Sequence, residues 1–198
     1  MFARPLPRAG GLACSRSGHH GALQREHSAF ANIATMRIGL VSDTHDNLCD
    51  WPAVRGRIAE ALAGVDLVVH CGDISTLAVL DDLEAVAPVR ATRNTDDPEP
   101  IPGRLEDGPI VIDADGAAIG VTFSVPDPRA GTDWAEMFGR PVDVVVFGGS
   151  HEPVIEQDGE VLLVNPGSPS LAAELTVGEL VVGDGAPRAR IIGVPAQS

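Results

Sequence analysis

Short apolar runs alternate with stretches of helical spacing through the first half of the chain, and each run stops at a polar cluster. Arg37–Ser42 (RIGLVS) leads into SDTHDN and reads as a buried strand ending at a loop. Trp51–Ala63 carries apolar residues at helical intervals, with Pro52 suited to a first turn. Leu67–His70 (LVVH) is a second strand, stopping at CGD. A second helix is expected over Thr76–Val86, with Ser75 as its cap. Val89–Thr92 makes a third short strand before RNTDD. This β-α-β-α-β order predicts a parallel sheet flanked by helices, since parallel neighbours need a crossover between them.

The second half is punctuated differently. Ile110–Asp113 and Ala117–Ser124 flank the Asp115–Gly116 turn and read as a hairpin. Thr132–Phe138 is a short helix before the strongly apolar strand Val142–Phe147. Asp158–Gly159 and Asp184–Gly185 separate further strands. A parallel first half and an antiparallel second half are accommodated by an α/β fold of two packed β-sheets flanked by helices. No internal repeat is visible.

With 198 residues and 44% apolar content, the chain is long enough for one domain with a real core. No run approaches the roughly 18 apolar residues that cross a bilayer, so a soluble protein without a membrane partner is expected. Residues 1–35 hold four Arg and one acid, which leaves ten Arg and 27 acids, a net of −17, for residues 36–198. Such a surface repels a phosphate backbone and argues against long nucleic acid as a partner. A phosphate substrate would need a cation or a local Arg to offset that repulsion.

Residues 1–35 show neither hydrophobic period nor the apolar core of a signal peptide, and they read as a disordered leader or as sequence ahead of a true start at Met36. His19, His20 and His27 fall there and receive no role. Cys14, Cys49 and Cys71 are odd in number and lack zinc-like spacing, so reduced thiols in a cytoplasmic protein are expected.

Candidate chemistry lies where the strands stop. Asp43-Thr44-His45, Gly72-Asp73 and Asn94 follow the first three strands, and Gly148-Gly149-Ser150-His151 follows Val142–Phe147. Ligands of open α/β sheets sit at the carboxyl ends of the strands, so these clusters should meet at one sheet edge. Two carboxylates, two imidazoles and an amide oxygen suit Mn, Fe, Zn or Ni better than thiophilic metals. Each element alone also has a plain reading: Asp73 as a turn or cap carboxylate, His151 as a loop histidine.

Taken in order, MRIGLVSDTHDN, DLVVHCGDI, RNTDD, VVVFGGSHEPV and VNPGS resemble the small calcineurin-like metallophosphoesterases of the bacterial and archaeal phosphodiesterase type, which the retromer scaffold subunit also resembles. The likeness spans nearly all of residues 36–198, which it implies form one four-layer α/β/β/α domain. It also implies a divalent metal, Mn²⁺ in the first instance with Zn²⁺, Fe²⁺, Ni²⁺ or Mg²⁺ as alternatives, held by Asp43, His45, Asp73 and His151. A second metal would share Asp73 and take Asn94. Two further histidines of that second position are missing, because Phe123 and Gly149 stand in their places. One firmly bound ion and a weak or absent second one are therefore expected, with Asp43, His45, Asp73, Asn94 and His151 as the catalytic set.

Arg93 replaces the glycine usual before the asparagine. It would either clamp a phosphate or pair with Asp96, Asp97 or Glu99, the second being favoured by the density of acids. Asn165 and Ser168 resemble a family loop near the site and are read as mainly structural, and His70 as packing. Two functions follow. One is a metal-dependent phosphoesterase that hydrolyses small phosphodiesters or monoesters through metal-bound hydroxide. The other is a catalytically degenerate metal-binding interaction domain. Exposed sheet edges in so small a fold are where copies would pair as a homo-oligomer.

Overall fold

The structure, a computed structural model, describes residues 35–126 and 131–194. The leader expected over residues 1–35 lies almost wholly outside the described residues, as do Cys14, His19, His20 and His27. The element order is β1 (Met36–Val41), α1 (Trp51–Ala61), β2 (Leu67–His70), α2 (Leu77–Glu84), β3 (Val89–Arg93), β4 (Leu105–Asp107), β5 (Ile110–Ala114), β6 (Ala117–Val121), α3 (Trp134–Phe138), β7 (Val144–Val146), β8 (Pro153–Asp158), β9 (Val161–Pro166), β10 (Thr176–Val182) and β11 (Arg188–Gly193).

Two sheets pack face to face. The first runs β11-β10-β1-β2-β3-β4 and the second β5-β6-β7-β9-β8. Alternation along each strand explains the layering. In β2, Val68 points to the outer side while Leu67 and Val69 point between the sheets. In β7, Val145 faces out while Val144 and Val146 face in. Three apolar layers result: α1 and α2 on the first sheet, sheet on sheet, and Trp134 with Phe138 of α3 on the second. The four-layer α/β/β/α arrangement stands.

The division into a parallel and an antiparallel half does not. β10 and β11 return to the first sheet and lie antiparallel to β1, while β6, β7 and β9 run parallel within the second. Periodicity reports a strand's faces and not its neighbours, so this pairing was out of its reach. β4 was also missed, being only three residues of which Leu105 alone is buried.

Local expectations were close elsewhere. Pro52 lies in the first turn of α1, where its missing N–H costs nothing. The N-cap of α2 is Thr76 rather than Ser75, which has a positive φ of 69° and donates its hydroxyl to Asn47 Oδ1 at 2.9 Å. Asp133 caps α3 by accepting from the Glu136 N–H at 3.0 Å.

Truncating Ile119, fully buried between the sheets, tests this packing. Ile119→Ala should cost ~2–5 kcal/mol of unfolding free energy in urea titration, the usual range for a buried aliphatic that leaves a cavity.

Candidate metal centre

β1, β2 and β3 are parallel neighbours, so the loops that follow them emerge side by side. Those loops carry Asp43 and His45, Asp73, and Asn94. His151 arrives from the other sheet, in the loop after β7. The four clusters therefore meet across the common end of two sheets rather than along one edge. One donor atom from each of Asp43, His45, Asp73 and His151 lies within 4.8 Å of the rest.

The donors face one another. His45 Nε2 stands 3.2 Å from His151 Nε2 and 3.2 Å from Asp73 Oδ2, and His151 Nε2 is 3.4 Å from Asp43 Oδ1. All four residues have positive φ: 53° at Asp43, 42° at His45, 57° at Asp73 and 59° at His151. Non-glycine residues seldom adopt that region, and clusters of them mark sites where a fold over-determines its backbone.

What holds them is visible atom by atom. Asp43 is fully buried, and its carboxylate accepts the Gly149 N–H at 3.0 and 3.1 Å. Ser168 Oγ donates to the Asp43 carbonyl at 2.7 Å and Ser170 Oγ to that of Thr44 at 2.6 Å. Asn165 closes its own turn by accepting the Gly167 N–H at 2.9 Å. His151 Nδ1 lies 2.7 Å from the Leu171 carbonyl and must donate to it, which leaves Nε2 as a lone pair aimed at the other donors. His70 is fully buried with its pKa pushed down to about 4, chiefly by burial. Its Nδ1 accepts the Gly72 N–H, so Nε2 carries the proton toward Thr44 Oγ1 at 3.2 Å, and that hydroxyl donates to the Asp73 carbonyl. His70 is a neutral brace.

Sequence reasoning missed Asp97. Its buried carboxylate accepts four backbone N–H groups, from Asp73, Ile74, Ser75 and Asn94, at 2.7 to 3.0 Å. The available signal was N-x-x-D: Asn94 Oδ1 accepts the N–H groups of Asp96 and Asp97, a turn that Asn favours. That turn fixes the Asn94 amide with its oxygen inward, and its nitrogen donates to Asp73 Oδ1. Asn94 therefore offers nitrogen to the centre and not the oxygen a cation needs.

The second cation position does not fit the residues present. Besides Asp73 and Asn94, its expected donors are replaced by Phe123 and Gly149. A β-carbon on Gly72 would stand 2.6 Å from Phe123 Cδ2, and one on Gly149 3.4 Å from Phe123 Cζ, so the ring lies along both glycines. Arg93 is engaged too. It pairs with Asp107 at 2.9 Å and donates to the Asp97 carbonyl at 3.2 Å, so pairing is found but with an acid of β4 instead of the Asp96, Asp97 or Glu99 carboxylates. Among the described residues the cysteines are free; Cys71 is buried in the inter-sheet core, which pushes its thiol well up.

Electrostatics agree with a cation seat. Burial, then the Asp43 and Asp97 carboxylates, raise the Asp73 pKa to about 6. Burial and the facing His151 lower that of His45, against the Asp43 and Asp97 carboxylates.

Residues 36–184 match the family of the calcineurin-like phosphoesterase superfamily domain, and the chain belongs to it. A probable metallophosphoesterase of Methanocaldococcus jannaschii is 32% identical over 160 residues, 78% of this chain and 79% of that protein. An archaeal phosphodiesterase of known structure is 28% identical, with a TM-score of 0.61 over 80% of this chain and 99% of that one. Vacuolar protein sorting 29 from Cryptosporidium parvum reaches a TM-score of 0.62 over 80% of this chain and 97% of that one at 15% identity, a likeness of fold alone. No helix among the described residues is long and apolar enough to cross a membrane.

Two measurements check the site. Asp97→Ala orphans four N–H groups and should cost about 3 kcal/mol of stability, with Mn²⁺ binding weakened in calorimetric titration. Asp73 is protonated below about pH 6 in the ion-free protein and must release that proton to bind a cation. Mn²⁺ affinity should therefore be flat above pH 7 and fall roughly tenfold per unit below 6.

Proposed function

We propose that the chain is a phosphoesterase working with one divalent cation on small phosphodiesters, the ion being held by Asp43, His45, Asp73 and His151. The observation that carries this reading is the convergence of four donor atoms within 4.8 Å on left-handed backbone. Two oxygens and two imidazole nitrogens suit Mn²⁺, with Fe²⁺, Zn²⁺ and Ni²⁺ as competitors. A divalent cation held there supplies Lewis-acid polarisation of a phosphoryl oxygen and acidifies water.

The chain's own residues divide the remaining work. Asp43 and Asp73 balance the charge of a divalent ion, and Arg93, next to Asn94 in the chain, is spent on Asp107. A centre so neutralised receives a singly charged diester with less repulsion than a doubly charged monoester. Asn94 acts through Asp73, holding its carboxylate by an N–H bond. Thr95 follows Asn94 and is no general acid, so esters with phenolic leaving groups should react well and alkyl esters poorly. Action in the cytoplasm on a freely diffusing ester belongs to the same proposal, and the outer strands of the two sheets are where a homo-oligomer would form.

A second reading has one observation in its favour, the apolar Phe123 at a ligand position: a metal-binding interaction domain without turnover. Purified protein with Mn²⁺ and an aryl phosphodiester distinguishes the two, with Asp73→Asn as the blank. Turnover above the blank is expected, and Asp73→Asn should lose at least about a hundredfold, the scale of removing a charge-bearing group from such a site. Equal rates in both proteins would sink the phosphoesterase reading. Phe123→His with Gly149→His should raise metal stoichiometry from one toward two.

A further inference from the structure

Phe123 does more than close the second cation position. Its ring is half-buried and lies along Gly72 and Gly149, each one bond from the centre: Gly72 precedes Asp73, and the Gly149 N–H holds Asp43. Both glycines have positive φ, 105° and 83°, so neither position takes a side chain readily, and the ring sits on bare backbone. Its carbonyl is anchored as well, accepting the Gly148 N–H at 2.9 Å.

Phe123 forms one wall of a cavity of about 460 Å³, whose other walls include Arg93, Asn94, Asp96, Asp107 and Thr122. The volume falls in the range of small-ligand sites. Two of its walls border the cation seat: Asn94 touches Asp73, and Phe123 lies against Gly72 and Gly149, so the cavity adjoins that seat. A phosphate held at that seat has an ester group to place, and the cavity is the adjacent space.

We propose that this cavity is the subsite for the organic group of the ester, that Phe123 determines specificity by stacking a flat aromatic ring, and that Asp96 and Asp107 restrict that ring to neutral or cationic forms. The proposal rests on the one-cation reading of the centre. Aromatic pairs favour offset or edge-on contact and are worth more than their buried area alone. Both carboxylates are exposed at the cavity mouth, Asp107 with its partner Arg93 and Asp96 bonded through its backbone to Asn94. An amino or cationic substituent meets acceptors there, and an anionic one meets two acids against the single guanidinium of Arg93, itself paired with Asp107.

The test is binding, so leaving-group reactivity does not enter. Calorimetry on the full chain with Mn²⁺ compares methyl phenylphosphonate, methyl methylphosphonate and the 4-carboxyphenyl analogue of the first. The phenyl probe should bind about three- to tenfold more tightly than the methyl one, and the carboxylated probe more weakly than the phenyl. Phe123→Leu should bring the phenyl-to-methyl ratio close to one while Mn²⁺ binding stays, and Phe123→Tyr should keep the ratio. A ratio near one in the unaltered chain, an unchanged ratio in Phe123→Leu, or equal binding of the carboxylated probe overturns the subsite. The two readings fail separately. An inactive protein whose phenyl preference needs Phe123 loses the enzyme and keeps the subsite. An active protein with no preference does the reverse.

Discussion

Donor atoms that face one another repel or desolvate one another until a cation arrives, so the backbone beneath them must be held against relaxation. The Asp97 carboxylate provides that constraint. It binds the N–H groups of three successive residues after β2 and of Asn94 after β3, tying together two loops that share no ladder hydrogen bonds. Hydrogen bonds to a charged acceptor in a buried place are among the stronger kinds, and four on one carboxylate leave little freedom. The left-handed conformation of Asp73 is held in this way, with the His70–Thr44 pair supporting its carbonyl from the other side.

Packing and chemistry are joined at the glycines. Gly72 and Gly149 let strand-end loops turn sharply enough to aim Asp73 and His151, and their bare faces leave room for one aromatic ring. With a ring there and the Asn94 oxygen turned into its own loop, the residues that converge are the four candidate ligands of a single ion. The loss of two histidines is thus not a scatter of independent defects. Phe123, Gly149 and the Asn94 turn fit one another as a second arrangement of the same sheet end.

Charge sets the remaining limit. Residues 36–198 carry a net −17, and Arg93, which precedes Asn94, is committed to Asp107 and the Asp97 carbonyl. Under the proposed function, an anionic ester would be drawn in by the cation those four residues would hold, not by the surface at large. Ion loading would then precede substrate binding, and both would be coupled to the protonation of Asp73.

The sequence by itself marked the strands other than β4, the two parallel crossovers, and the four residues that converge, because each signal is local: an apolar run, a helical interval, a polar cluster where the run stops. It also showed that Phe123 and Gly149 stand where histidines were expected. Tertiary structure decided the rest. Which strands pair, and that β10 and β11 return to the first sheet, depends on contacts between residues more than a hundred positions apart. Asp97 looked like one acid among several until folding buried it under four N–H groups. The orientation of Asn94 and the partner of Arg93 were likewise beyond any spacing rule, since a side chain's hydrogen bonds are chosen by what the fold brings within 3 Å of it.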